Sequence, residues 1–194
     1  MTFEHAETPF RSHYGDGTFH VFSWGPHEED NVLALVTRRA AARPIVRVQS
    51  ACYTAEIFRS TDCDCHEQLD RSLQRAHEEG GAVVYMLCDG RGAGLLTKVR
   101  GLALGTEGLD TADAYRHLGV ELDPRTYERV GECLRFLGLD HFRLLTNNPR
   151  KIAGLRAAGL KVEREPLLIP PTEHSEPYLR AKQRKLGHFL ELPE

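Results

Sequence analysis

Cys52, Cys63 and Cys65 are the residues whose types and spacing most clearly predict chemistry in this chain. Cys63 and Cys65 share one short turn, which is too tight for a disulfide framework and suits three thiolates converging on one ion. A tetrahedral zinc ion with three protein ligands keeps its fourth position open for water, as in catalytic sites. The cluster therefore predicts one Zn²⁺ per chain, a zinc-activated hydroxide and a hydrolytic reaction. His66 follows directly, and as a fourth ligand it would close the site and make it structural.

A glycine-rich segment, DGRGAGLLTK at residues 89–98, is the second place where residue types predict binding. Glycines ahead of a helix allow backbone N–H groups to approach an anion, and Arg91 and Lys98 bring positive charge to it. The segment lacks the Gly-Lys-Ser/Thr ending of a P-loop, which excludes an ordinary NTPase. Its position after a buried strand favours phosphate contact, although tight packing between strand and helix would use the same glycines.

The segment LLTNNPRK, residues 144–151, repeats this arrangement at another junction between a strand and a helix. Thr146 and the two asparagines can hydrogen-bond a base or a ribose, and the basic pair ending in Lys151 can bind phosphate. The alternative is that an asparagine only caps the following helix.

The LDPRT segment contains Asp123 and Arg125. Their spacing alone predicts no chemical role, because such an Asp is usually a helix cap and such an Arg is usually a solvated charge.

The composition of the 194-residue chain bounds its possible partners. A formal net charge of -3 and a pI near 6.4 argue against an extended surface for nucleic acid or for an anionic membrane. No apolar run approaches the ~20 residues of a membrane span, and the polar N-terminus lacks the apolar core of a signal peptide. Five cysteines without a leader indicate reduced thiols, so we expect a cytoplasmic protein.

Hydrophobic periodicity predicts strands that alternate with helices. This alternation indicates an α/β fold, a single domain over residues 1–194 with a mixed, partly parallel sheet and helices on both faces. The tail is helical in pattern from about residue 176 and is available to pack on a partner subunit. Strands are predicted at 19–24, 32–37, 45–49, 82–87, 142–146 and 160–165, and helices at 67–79, 95–104, 126–137 and 149–158.

Several motifs together resemble GTP cyclohydrolase II, the enzyme of the first step of riboflavin synthesis. They follow the family's order from about Arg47 to Pro166. The resemblance implies that GTP, or a related purine nucleotide, loses pyrophosphate and that its imidazole ring opens at C8 with loss of formate. It also implies Mg²⁺ with the triphosphate, and a homodimer. The motifs are RVQSACYT, CDCHEQL, GRGAGLLTK, GLDT, LGVELDPRTY and LLTNNPRKIAGL.

Carried over by position, the resemblance implies that Cys52, Cys63 and Cys65 hold the zinc ion. Arg125 resembles the arginine proposed in this family to attack the α-phosphorus, and Asp123 would act beside it as an acid/base residue. The other positions that match nucleotide-binding residues of the family are Arg47, Gln68, Asp89, Arg91, Thr111, Thr146 and Lys151.

Leu102 is the main departure from the family pattern, which usually has a tyrosine at this position. Leucine can neither donate nor exchange a proton, and removing a general acid typically costs about 10²–10⁴-fold on the step it serves. Gln49 replaces a histidine, Ala51 a glutamate, and Asp89 a longer glutamate. We therefore expect a specialised paralogue that opens the ring, releases pyrophosphate and leaves a formamidopyrimidine nucleotide as its product.

Three alternatives remain open from the sequence. Tyr115 or water could replace the missing hydroxyl, so that the ordinary diaminopyrimidinone 5'-phosphate and formate are released. The same chemistry could act on another nucleotide, since Ala51 and Asp89 leave room for a different base. The third alternative is a non-catalytic nucleotide-binding zinc module, although such a module would need neither Asp123 nor Arg125.

Overall fold

The computed structural model describes residues 3–106, 108–109 and 111–190, without the side chains of residues 111 and 112. Its strands are β1 (Glu4–Ser12), β2 (Gly15–Ser23), β3 (Asn31–Thr37), β4 (Ile45–Ser50), β5 (Gly81–Met86), β6 (His141–Leu145) and β7 (Lys161–Glu165). Its helices are α1 (Tyr53–Glu56), α2 (Cys65–Glu79), α3 (Leu95–Thr106), α4 (Thr111–His117), α5 (Glu128–Phe136), α6 (Pro149–Ala157) and α7 (Glu176–Leu186).

The seven strands form one mixed sheet in the order β1-β2-β3-β5-β4-β6-β7. The pairs from β1 to β3, and β3 with β5, are antiparallel, whereas β5, β4, β6 and β7 pair in parallel. On one face of β4, Val46 and Val48 pack into the main core with Leu134 of α5. On the other face, the Arg47 side chain reaches Gln68 of α2. Helices therefore cover both faces of the parallel half, and the predicted α/β fold is confirmed.

The carboxyl ends of β4, β5 and β6 lie at the same edge of the sheet, because these strands run in parallel. Cys52 follows β4, Asp89 follows β5 and Thr146 follows β6. A crevice outside the carboxyl ends of the strands is the usual ligand position in open α/β sheets. This topology therefore gathers motifs that are widely separated along the chain.

The sequence pattern does not predict β1, α1 or α4. The β1 sequence, EHAETPFRS, lacks apolar alternation and most of its side chains are exposed. Its order comes from pairing with β2 along its whole length, from Glu4 opposite Ser23 to Ser12 opposite Gly15. α1 has only four residues, fewer than a periodic pattern needs to be recognised. In the described part of the chain, no helix is both long and apolar enough to cross a membrane.

Candidate functional site

The three predicted metal ligands converge at the edge of the sheet. Cys52 follows the end of β4, and Cys65 is the first residue of α2. The sulfur atoms of Cys52 and Cys63 are 3.8 Å apart, and all three sulfurs lie within 4.8 Å of one another. A tetrahedral zinc ion with bonds of about 2.3 Å separates its sulfur ligands by roughly 3.8 Å. The donor set and its spacing therefore fit a zinc ion.

His66 points away from this cluster. Its Nδ1 atom contacts the guanidinium of Arg59 on the exposed side of the turn. Among the described residues, the metal-ligating group contains the three sulfurs and no imidazole. The geometry thus favours three protein ligands with an open fourth position, which is the arrangement of catalytic zinc sites.

Lys98 links the cysteine cluster to the glycine-rich segment. Its ammonium group donates to Cys52 Sγ at 3.2 Å and lies 2.9 Å from Asp89 Oδ1. Hydrogen bonds from Cys63 and Cys65, and the charge of Lys98, hold the pKa of Cys52 well below its ordinary value despite burial. Asp89 also accepts a hydrogen bond from the Tyr53 backbone N–H at 2.8 Å. Its carboxylate therefore holds Lys98 and the turn in place, instead of pointing freely at a nucleotide.

Asp123 and Arg125 form a bidentate ion pair. Arg125 Nε donates to Asp123 Oδ1 at 2.7 Å and Nη2 donates to Oδ2 at 2.8 Å, while Nη1 donates to Ser50 Oγ at 3.1 Å. Burial alone would raise the pKa of Asp123, but the hydrogen bonds and charge of Arg125, with the charge of Arg150, keep it below its ordinary value. Asp123 is thus an ionised carboxylate that fixes the Arg125 guanidinium.

Positive charge is concentrated around His188. Burial first, and then the charges of four basic side chains, lower the pKa of His188 to about 3. Two of these cations have acidic partners, since Asp123 pairs with Arg125 and Asp64 lies 3.2 Å from Lys182 Nζ. The cations are Lys182, Lys151, Arg125 and Arg91. A cavity wall that carries these four basic side chains is suited to a polyanion such as a triphosphate.

Arg91 lines the same region and has a left-handed backbone conformation, with φ 57°. Its guanidinium carbon is 5.8 Å from the ring centroid of Tyr115 and 5.8 Å from that of Tyr178. Cation–π contacts with two rings restrain the guanidinium, and its N–H groups have no hydrogen-bond acceptor among the residues that the structure describes.

Arg47 and Lys151 are buried, and both donate hydrogen bonds to other groups of the chain. Arg47 donates to Gln49, to the Leu145 carbonyl and, at 2.6 Å, to Gln68 Oε1. Lys151 Nζ donates to the Val48 carbonyl at 2.6 Å, and burial together with the charges of Arg47 and Arg125 lowers its pKa well below the ordinary value. Arg47 therefore sets the orientation of the Gln68 amide, which faces the site.

Both asparagines of the LLTNNPRK segment make hydrogen bonds within the chain. Asn148 caps α6 by accepting from the Arg150 N–H. Asn147 Nδ2 donates to the Leu167 carbonyl at 2.7 Å. The Thr146 hydroxyl accepts from the Asn148 N–H at 3.0 Å. The capping interpretation thus applies to Asn148, and a tertiary hydrogen bond accounts for Asn147.

These residues share one cavity. The predicted site residues that line it are Arg47, Cys52, Cys63, Cys65, Gln68, Asp89, Arg91, Arg125, Thr146 and Lys151. Asp123 lies behind Arg125, with 2% exposure. The side chain of Thr111 lies outside the described part of the structure, where only its place at the start of α4 is given.

Several residues that line the same cavity were missed by sequence reasoning, and three of them lie in the tail with polar side chains. They are Tyr178 and Lys182 of α7, and His188 just after it. Lys182 Nζ lies 4.2 Å from the centroid of the Tyr178 ring. The i, i+4 spacing of Tyr178 and Lys182 in a helical pattern was the available signal. The ion pair between Lys182 and Asp64 shows that the tail packs on its own chain's site.

Comparison with known proteins assigns the chain to a family. The sequence model of the GTP cyclohydrolase II family matches residues 4–166. The chain belongs to the GTP cyclohydrolase II family. It is 43% identical over 181 residues to riboflavin biosynthesis protein RibBA of Bacillus cereus strain ATCC 10987 / NRS 248 and to RibBA of Bacillus mycoides strain KBAB4. The match covers 91% of this chain but 46% of each relative, so the chain spans about half their length.

One solved structure is also similar to this member of the GTP cyclohydrolase II family. It is RibBX, a two domain 3,4-dihydroxy-2-butanone 4-phosphate synthase from A. baumannii. The sequence identity is 17% and the TM-score 0.46, with 87% of this chain and 41% of that chain covered.

Leu102, at the position where the sequence resemblance leads us to expect a tyrosine, lines the cavity with 48% exposure. Tyr115 is 4% exposed, and its hydroxyl donates to the Gly90 carbonyl at 3.1 Å. The Tyr115 ring also packs beneath Gly101, where an added Cβ would lie 3.2 Å from it. Position 102 therefore presents no hydroxyl to the cavity, and the Tyr115 hydroxyl is bonded to the Gly90 carbonyl in this arrangement.

Proposed function

We propose that this chain is a zinc-dependent hydrolase that opens the imidazole ring of GTP at C8 and releases pyrophosphate. The observation that carries the proposal is one cavity with the three sulfurs of Cys52, Cys63 and Cys65 and a group of cations around His188. Family membership supports a hydrolase that acts on GTP. Because the chain spans 46% of the length of its RibBA relatives, their activity comes to it only as a proposal.

The cysteine cluster is the proposed zinc site. A zinc ion held there would supply a Lewis acid and a bound water with a pKa near ~7. Lys98 assists the site by donating to Cys52 Sγ, which favours the thiolate that a metal ion requires. Asp89 in turn holds Lys98.

The cationic side of the cavity is the proposed triphosphate site. Arg91, with its donors available, and Lys182 approach the phosphates as charge-assisted donors. Asp123 raises the pKa of Arg125 although burial opposes this. A guanidinium held in its charged form stabilises phosphate charge but is a poor nucleophile. The pairing therefore supports an electrostatic role for Arg125 at the α-phosphate, and we propose that Mg²⁺ accompanies the triphosphate.

We propose that Gln68 and Thr111 bind the purine base of the nucleotide. The Gln68 amide is held between two partners, since its Oε1 accepts from Arg47 and its Nε2 donates to Asp64. A site whose polar groups are held in advance loses less freedom when a ligand binds. We propose GTP as the substrate, with a related purine nucleotide as the alternative.

We further propose that formate release is impaired and that the product is a formamidopyrimidine nucleotide. Leu102 lines the cavity where the family usually presents a tyrosine hydroxyl, and the Tyr115 hydroxyl is committed to Gly90. One observation favours the ordinary product instead. Tyr178 lines the same cavity and carries a hydroxyl, so it is the candidate to protonate the intermediate during loss of formate.

Incubating the purified full chain with GTP, Zn²⁺ and Mg²⁺ tests these proposals. We expect pyrophosphate to form in an amount equal to the GTP consumed, with much less formate and a product that retains the formyl group by mass spectrometry. Stoichiometric formate would reject the arrested product and leave ordinary GTP cyclohydrolase II activity. Absence of both pyrophosphate and ring opening would reject the hydrolase and leave a nucleotide-binding module.

Two further properties are proposed. The α1 and α3 regions expose apolar side chains, including Phe58 at 79% and Leu96 at 65%. Exposed apolar patches often mark protein interfaces, so they support the homodimer expected from the family. Light scattering of the purified chain would show twice the mass of one chain.

The five free thiols support a reducing compartment, the cytoplasm.

A further inference from the structure

His5, Glu7 and His20 form a second group of potential metal ligands, far from the cysteine cluster in the sheet. His5 and Glu7 lie on β1, and Glu7 is directly opposite His20 of β2. The strands β3 and β5 separate this hairpin from β4, which leads to Cys52. Residues two apart on one strand and a residue facing them on the next share one face of a sheet, so their side chains can meet.

One ligand atom from each side chain converges on a common point. His5 Nε2 and His20 Nδ1 are 3.1 Å apart. Glu7 Oε2 lies 3.2 Å from His20 Nδ1 and 3.8 Å from His5 Nε2. In the part of the chain that the structure describes, the ion-pair partners of the Glu7 carboxylate are these two imidazoles.

The size of this triangle matches the face of a metal tetrahedron. From these three separations, the circle through the three atoms has a radius of about 2.0 Å, and three ligands at about 2.1 Å from a tetrahedral ion lie on a circle of about 2.0 Å. A hydrogen bond between the two imidazoles uses a single proton for one pair of atoms. An ion would satisfy all three atoms together.

The surroundings suit a structural ion. The His5 ring lies 4.7 Å from the Phe22 ring and 4.6 Å from the Phe136 ring. The His20 side chain is 8% exposed and that of Glu7 is 56% exposed. Aromatic packing therefore restrains the His5 imidazole and burial restrains that of His20. The carboxylate side is open to solvent for entry of an ion and for water in the remaining position.

We propose that His5, Glu7 and His20 bind a divalent transition-metal ion of the Zn²⁺ class, which ties the edge strand β1 to β2. Two imidazole nitrogens and one carboxylate oxygen favour Zn²⁺, Co²⁺ or Ni²⁺, whereas Ca²⁺ and Mg²⁺ prefer oxygen ligands alone. None of the nine residues of β1 is buried, so a bound ion would add a contact that its sequence otherwise lacks.

Zinc stoichiometry of the full chain tests this site separately from the cysteine site. The chain is stripped of metal by a chelator under reducing conditions, dialysed against Zn²⁺ and measured by elemental mass spectrometry. We expect two ions per wild-type chain and one in Glu7→Gln and His5→Gln, with at least the ~10–100-fold loss of affinity that removing a supporting group already causes. His13→Gln, in the exposed turn of the same hairpin, is the matched control and should keep two.

Two further measurements keep the test decisive. Co²⁺ in a Cys63→Ser chain should still give the weak visible bands of a nitrogen and oxygen site, without intense sulfur charge-transfer bands. Excess Zn²⁺ should raise the Tm of the wild type and of His13→Gln more than that of Glu7→Gln. A wild-type chain that holds no ion sensitive to Glu7→Gln and His5→Gln would overturn the proposal and leave a hydrogen-bonded histidine pair. Loss of the cysteine site alone would leave this proposal standing.

Discussion

Asp123 holds Arg125 by two hydrogen bonds of 2.7 and 2.8 Å, and Arg125 lines the cavity while Asp123 lies behind it. Both carboxylate oxygens face the guanidinium, and the pKa of Asp123 lies below its ordinary value because the charge and hydrogen bonds of Arg125 outweigh the opposing effect of burial. A carboxylate in this state is poorly suited to donate a proton at neutral pH. Asp123 is therefore better described as a positioning residue for Arg125 than as an acid/base residue.

Asp123→Asn should reduce pyrophosphate release about 100-fold, in the range found when one electrostatic contact to a transition state is removed. Asp123→Glu should recover part of this loss, because it keeps the charge that fixes Arg125. Glu121→Gln, an exposed change two residues away, is the control. Full activity of Asp123→Asn would contradict the positioning role.

Acid unfolding gives an independent measure of the same ion pair. Since the folded-state pKa of Asp123 is depressed, the pair stabilises the fold above the unfolded-state pKa of about 3.9 and loses this contribution as the pH falls further. Wild type should therefore lose more unfolding free energy than Asp123→Asn between pH 5 and the acid limit, as followed by urea denaturation at each pH.

Arg91→Gln should weaken binding of GTP far more than binding of guanosine. Arg91 is held over the rings of Tyr115 and Tyr178, so its guanidinium is in place for phosphate. Hydrogen bonds to charged groups contribute about 1.5–3 kcal/mol, which corresponds to roughly a 10–100-fold rise in the Kd for GTP. Arg100→Gln, on the exposed side of α3, is the matched control. An equal rise in the Kd for GTP and for guanosine would contradict a phosphate-binding role of Arg91.

Cys63→Ser should remove the ion of the cysteine cluster and abolish ring opening. The expected readouts are loss of one zinc per chain and loss of the ring-opened product, while the fold persists by circular dichroism. Cys133→Ala is the control, because Cys133 is buried in the main core away from the cluster. It should lower stability slightly and leave zinc content and turnover intact. Unchanged ring opening in Cys63→Ser would exclude the cluster from the reaction.

Leu102→Tyr should raise the ratio of formate to pyrophosphate toward one if the missing hydroxyl limits loss of the formyl group. Leu102→Phe places the same ring without the hydroxyl and should leave the ratio unchanged. Tyr178→Phe distinguishes the other possibility, since it should lower formate release only if Tyr178 already protonates the intermediate. An equal response of Leu102→Tyr and Leu102→Phe would show that shape, and not the hydroxyl, matters there.

His188→Gln should make folding less sensitive to mild acid. Burial and the neighbouring cations lower the pKa of His188 to about 3, whereas an unfolded histidine titrates near ~6.5. Below that pH the unfolded state binds a proton that the folded state excludes, so stability falls by up to about 1.4 kcal/mol per pH unit. Urea unfolding at pH 7 and pH 5 should show a smaller decrease in His188→Gln than in wild type. His117→Gln, an exposed change in α4, should behave like wild type.

The elements that could be predicted are those in which the pattern of apolar residues reflects which side chains are buried. β5 reads as an apolar run, β4 alternates apolar with polar residues, and α2 has apolar positions at helical spacing up to the Gly80 stop. β1 lacks such a pattern, because it is an exposed edge strand that is held by hydrogen bonds to β2. For the same reason the second candidate metal site, which needs β1 against β2, could not be found from spacing alone.

By itself, the sequence determined which donors exist and which segments carry them: three cysteines in a short interval, a glycine-rich turn after a strand, and basic residues at two strand–helix junctions. Tertiary structure alone decided their partners. It turned Asp89 toward Lys98, placed Asp123 behind Arg125, and brought Tyr178, Lys182 and His188 from the tail to the cavity. The physical reason is that residue type and periodicity are local properties, whereas pairing, burial and shared electrostatic fields depend on contacts between segments remote in sequence.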